Sequence, residues 1–418
     1  MKLLLLCPHF EPDLHAATGE VMTKLVKGLA DRGHHITVVS SLPWYHGHRV
    51  AEEWRGRPWR TETTDWGRIL RCWPFPTTKN NIPARALGFL GQTTLATALA
   101  ATTGDHDVVM GMSPPIFLGD AAWVMAKRCQ APFVFNTQDI FPDIAVSLGA
   151  LTDDRIIALA RRHETSIYRR ADAITVLSSD QAANVSAKLA TIDGPGGDPD
   201  KVHIIHNFVD LERIRPVERN NSYRRRYGLE GKTVVMYSGN VGLSQSFELI
   251  HQAALHWVDD PSIQFVVNGE GAAHPAVAQW AGPLPNVTMI PFGPRSDVPE
   301  ILGAADLHLI LLRKGLAASS TPSKLYGILA AGRPVLAAID AGSEVCNVVR
   351  EAGCGLSVEP DDPWAFNQAL EKLLTDPNEL QQMGRRGRAH AESCLSPQAQ
   401  AEAYEDLFQS LVADRNRT

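Results

Sequence analysis

Ser319-Ser320-Thr321-Pro322-Ser323-Lys324 runs straight into Leu325-Tyr326-Gly327-Ile328-Leu329-Ala330-Ala331-Gly332-Arg333-Pro334-Val335. The stretch reads as a loop, a short helix and a strand, and its opening suits an anion. Thr321 is a good N-cap, and Pro322 falls at the first helical position, where a missing N–H costs nothing. The amides of Ser323 and its neighbours then lie at the positive end of the helix dipole, and Lys324 adds a full charge beside them. Gly332 and Pro334 stop the helix before an apolar strand, Val335 to Ile339. The same pattern fits an ordinary capped helix between two strands; its place in the chain favours the anion site.

Outward from that stretch, short apolar runs alternate with helical patterns. In the first half the expected strands are Leu3–Cys7, Ile36–Ser40, Val108–Met112, Phe133–Asn136, Ala173–Leu177 and Val202–His206, with helices such as Gly19–Arg32 and Asp153–Arg170 between them. The second half repeats the scheme after a Pro- and charge-rich connector, with strands at Thr233–Tyr237, Ile263–Asn268, Val287–Pro291, Leu307–Leu312 and Val335–Ile339. Such alternation predicts an α/β chain of two doubly wound parallel-sheet domains, 1–208 and 209–396. A last helix within 397–418 is expected to pack back on the first domain. Two such sheets facing one another leave a central cleft at the carboxyl ends of their strands, where ligands bind.

The chain of 418 residues carries a formal net charge of −6, which excludes a general nucleic-acid binder. Its six cysteines form no CxxC pair and several sit in apolar runs, so reduced structural thiols are expected, not zinc or disulfides. No apolar stretch approaches the ~20 residues of a spanning helix, and the expected location is cytoplasmic. Segment 41–90 differs: it reads as irregular, and it holds five of the nine tryptophans and eight Lys/Arg against four acids. That local excess of cations suits peripheral contact with an anionic membrane face or lipid-linked acceptor. The alternative is an inserted loop whose tryptophans pack on the domain.

Three glycine-bearing turns follow expected strands or open helices: Ala17-Thr18-Gly19-Glu20, Ser238-Gly239-Asn240-Val241-Gly242 and Asn268-Gly269-Glu270-Gly271. Each alone is common turn chemistry. As a series with Lys324, they point to a phosphate-holding surface of backbone amides.

The order of these motifs resembles the GT-B glycosyltransferases of retaining family 4, in the branch of colanic-acid-type, exopolysaccharide and O-antigen transferases. The resemblance covers nearly the whole chain. It is carried by Leu5-Leu6-Cys7-Pro8-His9-Phe10-Glu11-Pro12, Thr137-Gln138-Asp139-Ile140-Phe141-Pro142-Asp143, Ile205-His206-Asn207-Phe208-Val209-Asp210, Tyr237 through Gln245 and Pro322 through Val335. It implies transfer of a sugar from a nucleotide-sugar, UDP-linked, with the anomeric configuration kept and no metal required. Protein groups take the place of a divalent cation on the leaving diphosphate. Lys324, Ser323 and Asn240 are expected in that role, with Gly19 and Thr18 approaching from the first domain. Gly239, Gln245, Gly269, Glu270, Thr321 and Leu325 complete the donor set. The base is expected near Phe292 and Arg295, although Arg295 also fits a solvated loop cation.

Departures from the family pattern accompany the likeness. Two glutamates common in the family fall at Ser319 and Gly327, the Arg and Lys after the first strand of the second domain are Asn240 and Gln245, and a first-domain histidine is Gln138. These losses throw the diphosphate charge onto Lys324. On the acceptor side Asp139 is the leading group to orient or deprotonate a hydroxyl, against a plain loop carboxylate; His9 is a weaker candidate. No histidine has metal-ligand spacing. Two rivals on the same fold remain, a sugar-nucleotide 2-epimerase and a non-catalytic sugar-nucleotide-binding protein.

Overall fold

Strands form here where the sequence runs continuously apolar, because a parallel strand covered by helices on both faces exposes neither. A computed structural model describes the chain except residues 14–16, 45–48, 78–81, 148, 318–323, 416 and 418, and describes the backbone alone at 17, 82, 83, 85 and 195. The described residues divide into two units, Met1–Asn207 with Pro397–Thr418, and Phe208–Ser396.

The first unit runs β1 (Lys2–Leu6), α1 (Ala17–Asp31), β2 (His35–Ser41), β3 (Trp59–Thr64), β4 (Gly67–Cys72), α2 (Ile82–Ala100), β5 (Val108–Ser113), α3 (Leu118–Cys129), β6 (Phe133–Thr137), α4 (Asp143–Ser147), α5 (Asp154–Arg170), β7 (Ala173–Val176), α6 (Ser179–Leu189) and β8 (Val202–Ile204). Its sheet has the order β3-β4-β2-β1-β5-β6-β7-β8, parallel except for the β3–β4 pair. β1 pairs with β2 on one side and β5 on the other, so chain direction across the sheet reverses there. Leu4, Leu6, Val109, Phe133, Phe135 and Ile174 build the core on one face with α3 and α5.

The second unit runs α7 (Ser222–Tyr227), β9 (Thr233–Ser238), α8 (Glu248–His256), β10 (Ile263–Asn268), α9 (His274–Ala281), β11 (Val287–Ile290), α10 (Val298–Gly303), β12 (Leu307–Leu311), α11 (Lys324–Ala330), β13 (Val335–Ala338), α12 (Glu344–Ala352), β14 (Gly355–Val358), α13 (Pro363–Thr375) and α14 (Pro377–Cys394). All its pairs are parallel, in the order β11-β10-β9-β12-β13-β14. The reversal point therefore falls between β9 and β12, and separate apolar clusters cover the two faces.

The last helix, α15 (Pro397–Arg415), belongs to the first unit. Gly28 of α1 gives it room, since a Cβ there would meet Ala401 Cβ at 2.8 Å. Glu405 pairs with both Arg32 and His34, and Tyr404 accepts a hydrogen bond from Asn136 Nδ2 at 2.7 Å.

One expectation is corrected. Segment 41–90 is not irregular throughout: β3 and β4 form an antiparallel hairpin, and α2 begins within it. β3 alternates exposed and half-buried residues on a sheet edge, so it lacks the apolar run that marks a buried strand. A strand beyond the expected set, β14 at an edge of the second sheet, is Gly355-Leu356-Ser357-Val358 and likewise lacks an apolar run.

Candidate active site

β9 and β12 pair at the reversal point, and Lys324 opens α11 with its ammonium against the end of β9. Lys324 is half-buried overall, with its ammonium turned into the unit. Nζ donates to Tyr237 Oη at 2.6 Å and lies 3.8 Å from the centre of the same ring. Tyr237, wholly buried near the end of β9, donates its own hydroxyl proton to the Asn240 carbonyl at 2.6 Å. Gly239 completes the enclosure: its φ is +142°, and a Cβ there would meet Lys324 Nζ at 3.2 Å. Burial pulls the lysine down to about 7. The lysine therefore holds its proton less tightly than the free side chain expected from the sequence.

The structure brings Gly239, Asn240, Gln245, Gly269 and Glu270 together beside Lys324, with three of the loop amides bonded to neighbouring backbone. The Gly239 amide donates to Asn268 O at 2.9 Å, Val241 to Glu270 O at 2.8 Å, and Gly269 to Ile290 O at 2.8 Å. Gly242 N–H donates to Gln245 Oε1 at 3.0 Å, and Gln245 Nε2 donates to Ser244 Oγ at 2.8 Å. Gln245 therefore braces the loop with both ends of its amide. The glycines are required for a close approach of two loops. Gly269 has φ +155°, and a Cβ on it would come within 3.0 Å of the Gly239 carbonyl oxygen.

Asn240 and Glu270 are exposed at this surface. Glu270 and Gly271 line a groove with His274, Pro275, Ala278, Met289 and Pro291 at the ends of β10 and β11. Buried Asn268 holds the rim by donating to Ile290 O and Pro291 O, at 3.3 and 3.0 Å. Phe292 and Arg295 follow β11 on exposed backbone, with Phe292 53% exposed.

Of the remaining residues of the expected donor set, Thr321 and Ser323 lie outside the described residues, as do Ser319, Ser320 and Pro322. The Leu325 side chain is 1% exposed in the apolar core, so its backbone amide is the group it can offer a ligand. Gly327 is not sterically compelled, since a Cβ would make only ordinary contact with Leu302 at 3.5 Å.

In the first unit Thr18 and Gly19 open α1. Gly19 is buried, and a Cβ would press on the Asp13 carbonyl and on His9 Cβ at 3.3 Å, so close packing accounts for this glycine. His9 Nδ1 lies 3.2 Å from Asp13 Oδ2, which also accepts from the Trp44 amide at 3.2 Å. Asp139 stands two strands away, half-buried after β6. Beneath it Gln138 donates to Asn136 Oδ1 at 3.0 Å and accepts from Asn207 Nδ2 at 2.8 Å. The fixed network holds the backbone on which Asp139 is carried.

Four of the five tryptophans of segment 41–90 are half-buried, and Trp54 lies 5.0 Å beneath the guanidinium groups of both Arg60 and Arg71. Packing on the domain accounts for those four; Trp59 alone is exposed, at 54%. Among the described residues, no group of three or more His, Cys, Asp or Glu side chains is arranged to hold a metal ion, and no helix is long and apolar enough to cross a membrane.

Comparison with known proteins bears on the whole chain. Residues 17–207 match the model of the glycosyl transferase 4-like domain, and residues 220–390 that of the glycosyl transferases group 1. The chain is 26% identical over 390 residues to WcaI of Escherichia coli (strain K12), named for colanic acid biosynthesis, covering 90% of this chain and 93% of the other. It is 28% identical over 308 residues to "Probable glycosyltransferase WbjE" of Pseudomonas aeruginosa, covering 72% and 75%. The structure of HepE from Anabaena in complex with UDP superposes with a TM-score of 0.70 at 14% identity, over 98% of this chain and 100% of that one.

Proposed function

We propose that this chain, which belongs to the glycosyltransferases with a 4-like N-terminal and a group 1 C-terminal domain on the GT-B fold, moves a sugar from a UDP-sugar to a lipid-linked or glycan acceptor of a cell-surface polysaccharide. The reading includes retention of anomeric configuration and a leaving diphosphate neutralised by the protein without a metal. The observation that carries it is the Lys324 ammonium fixed at the sheet reversal of the second domain, beside a loop that needs glycine to pass there. A ligand dianion placed against this ammonium raises its proton affinity, so donor binding charges the lysine when the charge is useful. As the glycosidic bond breaks, negative charge grows on the diphosphate, and a pre-placed cation stabilises that state more than the ground state. Exposed Asn240 offers an amide side chain to the same oxygens. The Glu270–Pro291 groove is suited to the base or ribose, and Asp139 to the acceptor hydroxyl. The UDP complex of HepE and the name of WcaI support the choice of donor and pathway class.

A thermal-shift series with UDP-, GDP- and dTDP-sugars tests the donor. A ligand that binds only the folded chain stabilises it by about 2.7 kcal/mol at one hundred times its Kd, so a UDP-sugar should raise the melting temperature by several degrees. No shift with any of the three classes would overturn donor binding. A shift with no turnover on any acceptor would favour a non-catalytic sugar-nucleotide protein.

The acceptor reading includes peripheral contact with the inner face of the membrane. Exposed apolar side chains on and beside α2 support it. Trp59 pairs with Cys72, whose thiol points at Gln92 of α2, and Phe75 packs on Gly91 of the same helix. On α2 Leu87 is 71% exposed and Leu90 45%, while Arg49, Arg55 and Arg57 are exposed cations of the same segment. The chain should co-sediment with anionic vesicles at low salt and release as salt rises. Replacing Leu87 and Leu90 by serine should cut the bound fraction several-fold. Equal failure to bind anionic and neutral vesicles would remove this part of the proposal.

A further inference from the structure

We propose that Tyr237 is a positioning residue for the transfer: its hydroxyl holds the Lys324 ammonium against the Gly239–Asn240 backbone and pins that backbone through the Asn240 carbonyl. The inference rests on the reading of Lys324 as the diphosphate cation, and says how that cation comes to be aimed.

A lysine side chain is long and flexible, so its end stays in one place only where several groups hold it. Here the hydroxyl oxygen accepts from Nζ at 2.6 Å, the ring lies 3.8 Å from the same atom, and the bare Gly239 backbone closes the third side. The tyrosine is itself immobile, wholly buried and edge-on to Phe247 at 4.9 Å. Its proton is committed to Asn240 O at 2.6 Å, which leaves its lone pairs for the ammonium. One oxygen thus joins the two groups expected on the diphosphate, the cation of α11 and the loop after β9. Removing it should loosen both together.

The hydroxyl also bears on the charge of the lysine. Among the described residues, Tyr237 from β9 touches the Lys324 ammonium, and His308 from β12 lies near enough to sense its charge. His308 is buried, donates to Leu302 O at 2.9 Å and is held down to about 4 chiefly by that burial, so it is neutral at pH 7. Burial lowers Lys324 toward 7, and an oxygen that accepts from the ammonium opposes that pull. Catalytic efficiency for the donor should therefore fall as pH rises through the free-enzyme value of Lys324, and the fall should begin at lower pH once the oxygen is gone.

The test is a double-mutant cycle on Tyr237→Phe and Lys324→Ala, read as kcat/KM for the donor across neutral pH. Tyr237→Phe keeps the ring and its packing. It should lose at least about tenfold, the effect of one hydrogen bond to a charged group, and shift the alkaline limb toward acid. In the Lys324→Ala background the same change should cost several-fold less, keeping only the part that runs through the Asn240 backbone. Equal losses in both backgrounds, or an unmoved limb, would overturn the positioning role. Lys324→Ala at full activity would instead overturn the underlying reading, a separate outcome. Should the Phe variant not fold, fluorotyrosine at position 237 keeps the shape and weakens the oxygen as an acceptor. It must shift the limb in the same direction, and a stationary limb would again sink the inference.

Discussion

Lys324→Ala should lower turnover with a nucleotide-sugar donor at least ~100-fold, while leaving the chain as stable at neutral pH as before or more so. The first half follows from charge: losing one donor aimed at developing negative charge in a water-poor site costs about 3–4 kcal/mol. The family's other cations at the second-domain loop are here Asn240 and Gln245, and Gln245 is spent on Gly242 and Ser244, so little else in that loop can take over. The second half follows from burial. The folded lysine titrates near 7 while the unfolded chain titrates near 10.4, so between those values the unfolded chain binds more protons. The burden on folding is fully present below about pH 7 and fades as pH climbs toward 10. Lys324→Met, of similar shape and without charge, should accordingly melt higher than the parent at pH 6 and converge with it at alkaline pH. Activity lost with stability kept separates a catalytic part from a structural one. A near-normal rate for either variant would remove the mechanism, and a lowered melting temperature would remove the separation.

The parts of this molecule that could be read from sequence are those fixed by local chemistry. Leu3 to Leu6, Val108 to Met112 and Val335 to Ala338 are apolar because both faces are covered, and runs of that kind announce a parallel sheet. α2 was harder. Its first turn carries Pro83, and Gly88 and Gly91 weaken it as a helix, yet Phe75 packs where those glycines leave room. Only the packing explains the composition. The site divides the same way. Glycine after a strand predicts a turn at 239 and 269, but whether the amides face a ligand or another loop depends on strands thirty residues apart coming together. They face the other loop. Tyr237 has its partner 87 positions away; the available signal was a phenol closing the buried run Val234 to Tyr237, which must find a partner there. Lys324 was legible as a cation but not as one whose burial weakens its hold on the proton, because desolvation is a property of the fold.

Gly269→Ala should be the most damaging small substitution at the site, and it separates loop geometry from charge. At φ +155° an L side chain is strained wherever it points, and this Cβ would point at the Gly239 carbonyl oxygen, closer than 3.0 Å. The obstacle is backbone, so no side chain can swing aside. To relieve the contact the loops after β9 and β10 must part, stretching the bonds from Gly239 N–H to Asn268 O and from Val241 N–H to Glu270 O. Strain and overpacking contribute about 1–3 kcal/mol each. At about 2–4 °C per kcal/mol for a domain of this size, the melting temperature should drop by roughly 5–20 °C. Because Gly239 lies against Lys324 Nζ, donor affinity should fall by more than tenfold in whatever fraction still folds. Gly228→Ala is the control: it sits at φ +65° at the end of α7 with nothing within 4 Å of a Cβ, so it should cost about 1 kcal/mol and leave donor affinity alone. If Gly269→Ala melted and bound donor like the parent, the two loops would not be in the contact that aims Lys324, and the site as drawn would fall with them.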